Sequence, residues 1–442
     1  MNRTLAAVLA TAVSTLGVLP AATARPADPP TPVVTTDNET PVLYDDDAGG
    51  NASGDDPAIW VHLGDSSRSI VIVTAKEGGL RVYDLESNEL QSLPATPAPR
   101  ADGVDGRYNN VDIAYDLRLG GERVDVAVVS DRYNDQLRFF VIDSAGADAA
   151  TPLREVTAPE QAFLFNPDRV AVDEEHTAYG VAIWQPGDGS TYAAVTQEGT
   201  TMIATARIVA RHGALAYTNV RRLEMPGSFA LPDGTTWVPC EEPGIGPQLE
   251  GSAVDQRRGM LYVAQEDVGV WRVPLPLGRG EPKLIDRVAD FGIHDVFNLD
   301  TEECDPVDPD ATGFGGPNLV ADAEGVDVYY ASGRTGYVVV SSQGDDRFAV
   351  YSTVGTNRSL GTFKVAGVGV DDINGSDGLA ITNRVVGDYR QGLLVTHDEP
   401  ESGPGVDPDR DPTNFSYVDW GQVALALHLK VSTNAANDPR LG

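Results

Sequence analysis

Six times along this chain a polar residue leads an apolar strand, a second strand follows and ends in a polar turn, and a third strand comes next. The first copy reads DDPAIWVH from Asp55, then IVIVTAKEGGLRVYDL. The second is NNVDIAYD from Asn109, then VDVAVVSDRYNDQLRFFVID. AYGVAIW from Ala178 and YAAVTQEGTTMIATARI make the third. QLEGSAVD from Gln248 and GMLYVAQEDVGVWRV make the fourth. The fifth is DAEGVDVYY from Asp322 with GYVVVSSQGDDRFAVYS, and the sixth is GSDGLAI from Gly375 with GLLVTHDEPE and, further on, NFSYVDW. The second-strand turns fall at Lys76, Arg132, Gln197, Glu266, Gln343 and His397. Their spacings of about 50 to 80 residues suit one four-stranded blade plus loops. Almost no sustained 3.6-residue apolar period interrupts the pattern, so the class is all-β. The expected fold is a six-bladed β-propeller with mainly four-stranded antiparallel blades around a central channel. A pair of β-sandwiches is the main alternative, but it gives no reason for every unit to repeat the same polar positions.

In a propeller blade the first strand starts, and the second ends, on one face. Asp56, Asn110, Tyr179, Glu250, Glu324 and Asp377 are therefore expected to ring one channel mouth, with the second-strand turns around them. A structural turn would also place Asp and Gly there, so no single position carries the argument. Their concentration does: carboxylates held that close repel one another unless a cation lies between them.

Residues 1–24 have the pattern of a secretory signal: Arg3, an apolar stretch over 5–18, and Ala22-Thr23-Ala24 as an A-x-A cleavage site. Residues 25–40 are rich in Pro, Thr and Asp and are expected to be extended or disordered, and Thr31–Leu43 is expected to add an edge strand to the last blade and close the ring. Residues 41–435 then form a single domain, with 436–442 as a tail. No later membrane span is expected, so the mature chain is read as exported and soluble, and nothing suggests more than a monomer. The net charge of −34 argues against nucleic-acid or anionic membrane partners. Clustered carboxylates in an exported protein point to calcium, which prefers hard oxygen ligands. The two cysteines, Cys240 and Cys304, permit one disulfide in an oxidising compartment.

Two short motifs mislead. Arg211-His212-Gly213 and His397-Asp398 look like pieces of the histidine acid phosphatase signature, but Ala214, Leu215 and Ala216 follow where that family needs a second arginine and a proline. The α/β core of that family is also absent from the pattern.

From about Asp45 to Trp420 the chain resembles the β-propeller phytases, calcium-dependent secreted enzymes that release phosphate from inositol hexakisphosphate, some of the 3-phytase type. The stretches that carry the resemblance are DDPAIWVH, NNVDIAYD, QLEGSAVD, YVAQEDVGVW, DAEGVDVYY, SSQGDDRFAVY and NFSYVDW, in that order. The resemblance implies several calcium ions. It implies that Asp55, Asp56, Tyr179, Glu250, Glu266, Asp322 and Glu324 hold calcium at the mouth, with Gln343 as a nearby polar ligand. Among these, Glu250, Glu324, Asp322 and Tyr179 would serve catalysis. Asp371 matches a ligand of a peripheral calcium, with Asp398 and Glu401 near it. Lys76 and Arg132 match phosphate-binding residues, and the substrate implied is phytate or calcium-phytate. Two departures stand out. At the third turn, VTQEG puts Gln197 where the family has a second phosphate-binding lysine. Insertions over 225–247 and 289–320 each carry one cysteine. If the carboxylates near Glu250 and Asp322 share calcium, the entry loops holding Cys240 and Cys304 are neighbours, and the two cysteines are expected to be bridged. A calcium-stabilised binding module without catalysis, and a calcium-dependent lactonase on the same fold, are the alternative readings.

Overall fold

The structure is a computed structural model, and it describes residues 30–432 except Asp102, Glu175, Asp300 and Glu302. The segment read as a signal and the 436–442 tail lie outside the described residues. The whole fold lies within one compact unit that begins at Pro32.

Six small sheets build a six-bladed propeller, as the repeats predict. Blade 1 comprises Pro57–Trp60, Ile70–Thr74, Leu80–Tyr83 and Glu89–Leu93. Blade 2 comprises Tyr108–Leu119, Glu122–Asp131, Gln136–Ile142 and Leu153–Glu155. Blade 3 comprises Ala178–Trp184, Tyr192–Gln197, Met202–Arg211 and Ala214–Glu224. Blade 4 comprises Leu249–Asp255, Met260–Gln265, Gly269–Pro274 and Lys283–Arg287. Blade 5 comprises Ala323–Tyr330, Gly336–Ser342, Arg347–Ser352 and Ser359–Gly367. Blade 6 draws Leu379–Thr382, Leu393–Asp398 and Pro412–Asp419 from the end of the chain. Alternation along each strand sends one apolar set towards each neighbouring blade. Val126, Val128 and Phe139 of blade 2, for example, pack with Val181, Ile183 and Val195 of blade 3.

The fourth strand of blade 6 comes from the start of the chain. Leu43–Tyr44 pairs antiparallel with Pro412–Asp419, and Glu39 bridges to Ser416. The sequence pattern assigns residues 31–43 to the last blade as one strand, and only its second half goes there. Val33–Thr36 runs parallel to Ser359–Gly367 on the outside of blade 5. The N-terminal segment thus ties the last two blades together.

Where the inner strands begin, their backbones pass very close. A Cβ added at Gly180 would lie 2.1 Å from the Glu250 carbonyl oxygen, and one at Gly251 would lie 2.4 Å from that of Glu324. The glycine after each mouth residue of blades 3 to 6 therefore lets the next blade's polar residue crowd towards the axis.

The two insertions build a cap on this scaffold. Residues 225–247 contain the short pair Phe229–Ala230 and Thr236–Trp237; residues 289–320 contain Asp295–Asn298 and Glu303–Pro306. Phe229, Trp237 and Phe291 pack together, and Trp237 Nε1 donates to the Ile293 carbonyl at 2.6 Å. Cys240 and Cys304 are bridged as expected, 64 residues apart in sequence. In the chain-entropy model a loop of that length contributes about 4 kcal/mol.

Candidate active site

A β-bulge at the head of the inner strand decides which side chain enters the mouth. The register slips between Tyr108 and Val111, Ala178 and Val181, Leu249 and Ser252, and Ala323 and Val326. The equivalent mouth residues are therefore Asn109, Tyr179, Glu250 and Glu324. Asn109, not Asn110, faces the cluster: its Nδ2 donates to Glu250 Oε1 at 2.8 Å and to Asp55 Oδ1 at 3.4 Å. The same logic separates Asp55 from Asp56. Asp55 belongs to the mouth, whereas Asp56 lies one step down the channel, where Oδ2 accepts from Val111 N at 3.0 Å.

At the centre lie Glu250, Glu266 and Glu324, from blades 4 and 5. They are 7%, 9% and 6% exposed, and one carboxylate oxygen of each falls within 4.8 Å of the others. Gln248 Nε2 donates to Glu266 Oε2 at 2.9 Å, but Glu266 Oε1 and Glu324 Oε2 are buried without a hydrogen-bond partner. Burial, then the neighbouring carboxylates, push the Glu266 and Glu324 pKa values well above the ordinary range. Glu250 is raised for the same reasons despite the Tyr179 hydroxyl beside it. Asp55 and Asp56 are raised well above the ordinary range too, chiefly by burial. The Tyr179 phenol is likewise pushed up by burial and by Glu250. Asp322, at the entry to blade 5, adds to the field on Glu266 and Glu324. Three buried carboxylates facing one another, two of them with an orphaned oxygen, are stable only when protonated or when a cation joins them. All the ligand atoms on offer are hard oxygens.

The basic residues border this cluster. Lys76 sits in the turn after the second strand of blade 1 with φ 43°. Burial disfavours its ammonium, but Asp55, Asp377 and Glu399 outweigh that and raise its pKa. Arg132 occupies the matching turn of blade 2, where its guanidinium lies 5.0 Å from the Tyr179 ring centroid and pairs with Glu198. Glu198 did not stand out in the sequence, although it follows Gln197 directly in the VTQEG turn. The Gln197 amide donates to the His176 carbonyl at 2.8 Å, and its oxygen accepts from Thr200 at 3.1 Å. Gln343 donates to Asp377 Oδ1 at 2.5 Å.

A second acidic group lies where the N-terminal segment crosses blade 6. Asp371, Glu401 and Glu39 converge, and Glu39 was not visible from the sequence. Asp371 Oδ2 accepts from the backbone N–H and hydroxyl of Ser402, both at 2.7 Å, while Asp371 Oδ1 and Glu39 Oε2 are buried and unpartnered. Asp398 stands beside them. Burial and the neighbouring acids raise Asp398 to about 8 and Glu401 to about 9. The phosphatase lookalikes are not brought together as a pair: His212 lies in the outer hairpin turn of blade 3, and His397 is fully buried in blade 6 with its pKa lowered by burial to about 4.

A model of the phytase family matches residues 3–223 and 241–441. The 3-phytase of Bacillus subtilis (strain 168) is 28% identical over 387 residues, which span 86% of this chain and 82% of that protein. Among solved structures, the calcium-binding protein regucalcin from Agrobacterium tumefaciens aligns over 88% of this chain and 96% of its own at a TM-score of 0.43 and 10% identity. That likeness is too distant to bear on the site.

Proposed function

The chain belongs to the phytase family, and on that premise we propose that it hydrolyses phytate to lower inositol phosphates and phosphate in a calcium-dependent reaction. One observation carries the reading: three buried glutamates meet at the channel mouth, two of them with an unpartnered oxygen, bordered by Lys76 and Arg132.

Glu250, Glu266 and Glu324, with Asp55, Asp322 and Tyr179 around them, would hold calcium at the mouth, and Asp56 would face it from one step down the channel. Gln343 bears on this group through Asp377. Asp371 and Asp398, with Glu39 and Glu401, would hold a peripheral, stabilising calcium. When bound, calcium supplies neutralisation of the phosphate charge and lowers the pKa of a water. The remaining work falls to the chain. Glu250, Glu324, Asp322 and Tyr179 fix the geometry for in-line attack of water on phosphorus, with no phospho-enzyme. Lys76 offers a point charge and Arg132 a planar fork to the phosphate oxygens, and Gln197 would be a weaker, uncharged contact. A net charge of −34 would otherwise repel phytate, so cation-mediated contact accounts for a polyanionic substrate on an acidic protein.

The N-terminal pattern and the disulfide support export. Incubation of the protein with phytate and calcium is expected to release inorganic phosphate. No release under those conditions would overturn the activity.

A further inference from the structure

We infer that Arg107 is a third phosphate-binding cation of the mouth and sets the affinity for a substrate phosphate beside the reacting one. The inference rests on the phytase reading and adds to it a residue that the family resemblance does not assign to the site. The backbone places it there. Tyr108 N donates to the Lys76 carbonyl at 3.1 Å, and Arg132 N donates to the Arg107 carbonyl at 2.7 Å. Residues 107–108 are therefore stitched between the two turns that present Lys76 and Arg132, so three cations emerge from adjacent backbone.

Their surroundings differ. Arg132 is already paired with Glu198, and Lys76 lies in the field of Asp55, Asp377 and Glu399. Arg107 enters no ion pair among the described residues. Its guanidinium meets the Tyr133 hydroxyl, which itself donates to Glu77 at 3.0 Å. Its Nε is buried with no hydrogen-bond partner. The side chain is half-buried, so solvent and substrate still reach it. It also stands close enough to Lys76 for the two charges to repel. An arginine that is unpaired, partly desolvated and set beside a second cation in so acidic a chain is accounted for if an anion bridges the pair. Phytate carries phosphates on neighbouring carbons, so a phosphate beside the reacting one supplies that anion. Arg107 also offsets the uncharged amide at Gln197.

The test is steady-state kinetics of phosphate release from phytate by the calcium-loaded protein, comparing wild type, Arg107→Gln and Arg107→Lys. Arg107→Gln is expected to raise KM about tenfold at low salt, the loss of one charge-assisted contact. Its kcat should stay within about twofold, its melting temperature should be unchanged, and the KM effect should shrink as salt rises. Arg107→Lys should recover most of the loss. An unchanged KM in Arg107→Gln would overturn the inference. So would a fall in kcat or melting temperature that Arg107→Lys fails to restore, which would make the residue structural. Failure of the wild type to release phosphate would instead overturn the phytase reading itself.

Discussion

The channel holds two sets of acids, and they are treated in opposite ways. Below the mouth, Asp112 and Asp327 line a cavity of about 130 Å³, projecting from the inner strands of opposite blades. Asp112 accepts from the backbone N–H groups of Ile113 and Ile183, and Asp327 from those of Val328 and Ile381, all at 2.6 Å. One oxygen of each carboxylate is satisfied by its own strand and the other by the inner strand of the next blade. Burial raises the two pKa values only to about 6 and about 7. At the mouth, Glu266 and Glu324 keep an orphaned oxygen each and face Glu250. One set staples blades together. The other is left with bonding capacity that the protein does not fill, which is what a cation site needs.

The largest expected effect breaks the two sets apart directly. Glu250→Gln should lower phosphate release about a hundredfold at saturating calcium, because it removes a charge shared across the mouth. Asp327→Asn should leave the rate within about twofold. A rate near that of wild type in Glu250→Gln would reduce Glu250 to a turn residue.

Next in size is stability without the cation. Each calcium site saturated to about a hundred times its Kd adds about 2.7 kcal/mol, so chelation should lower the melting temperature. The Glu39–Asp371–Glu401 group should contribute to this independently of the mouth. Asp371→Asn should therefore reduce the calcium-dependent part of the thermal shift while sparing kcat.

A smaller effect concerns pH. The Asp112 and Asp327 carboxyls have folded pKa values above their ordinary one, so the native state binds more protons than the unfolded chain between about pH 4 and 7. Their contribution is fully present below the unfolded value and is lost as pH rises through the folded one. Asp327→Asn gives up one backbone hydrogen bond, about 1 kcal/mol, but does not ionise. With calcium held saturating, its denaturation midpoint should lie below that of wild type at pH 5 and approach it at pH 8. A constant gap would show that Asp327 does not titrate in this range.

Most of this comparison was legible in the sequence on one side only. The blades and their polar turns could be read because strand alternation and turn residues repeat, and Glu250, Glu266 and Glu324 could be read because they recur with them. The single-residue offset at Asn109 and at Asp55 could not. A bulge adds one residue, and each position has an identical neighbour, so the pattern looks the same in either register. Asp112 and Asp327 resemble solvent-facing strand residues until the ring closes and brings a neighbouring strand's N–H groups to them. Glu39 joins acids more than three hundred residues away through a crossing that local patterns do not encode.

The smallest expected effect lies on the cationic side of the mouth. Gln197→Lys should lower KM for phytate by no more than about threefold, since a charged contact is roughly twice as strong as a neutral one. The present amide is also held back by the His176 carbonyl. Unchanged kinetics at low salt would remove position 197 from the site.

The central claim is that the unfilled acids at the mouth work through calcium. It is tested most directly by measuring phosphate release from phytate after exhaustive chelation, then on adding back calcium or magnesium. The account predicts loss of activity on chelation and recovery with calcium. Recovery with magnesium should be poor, because that ion demands a tighter octahedral site. Full activity in excess chelator would contradict it.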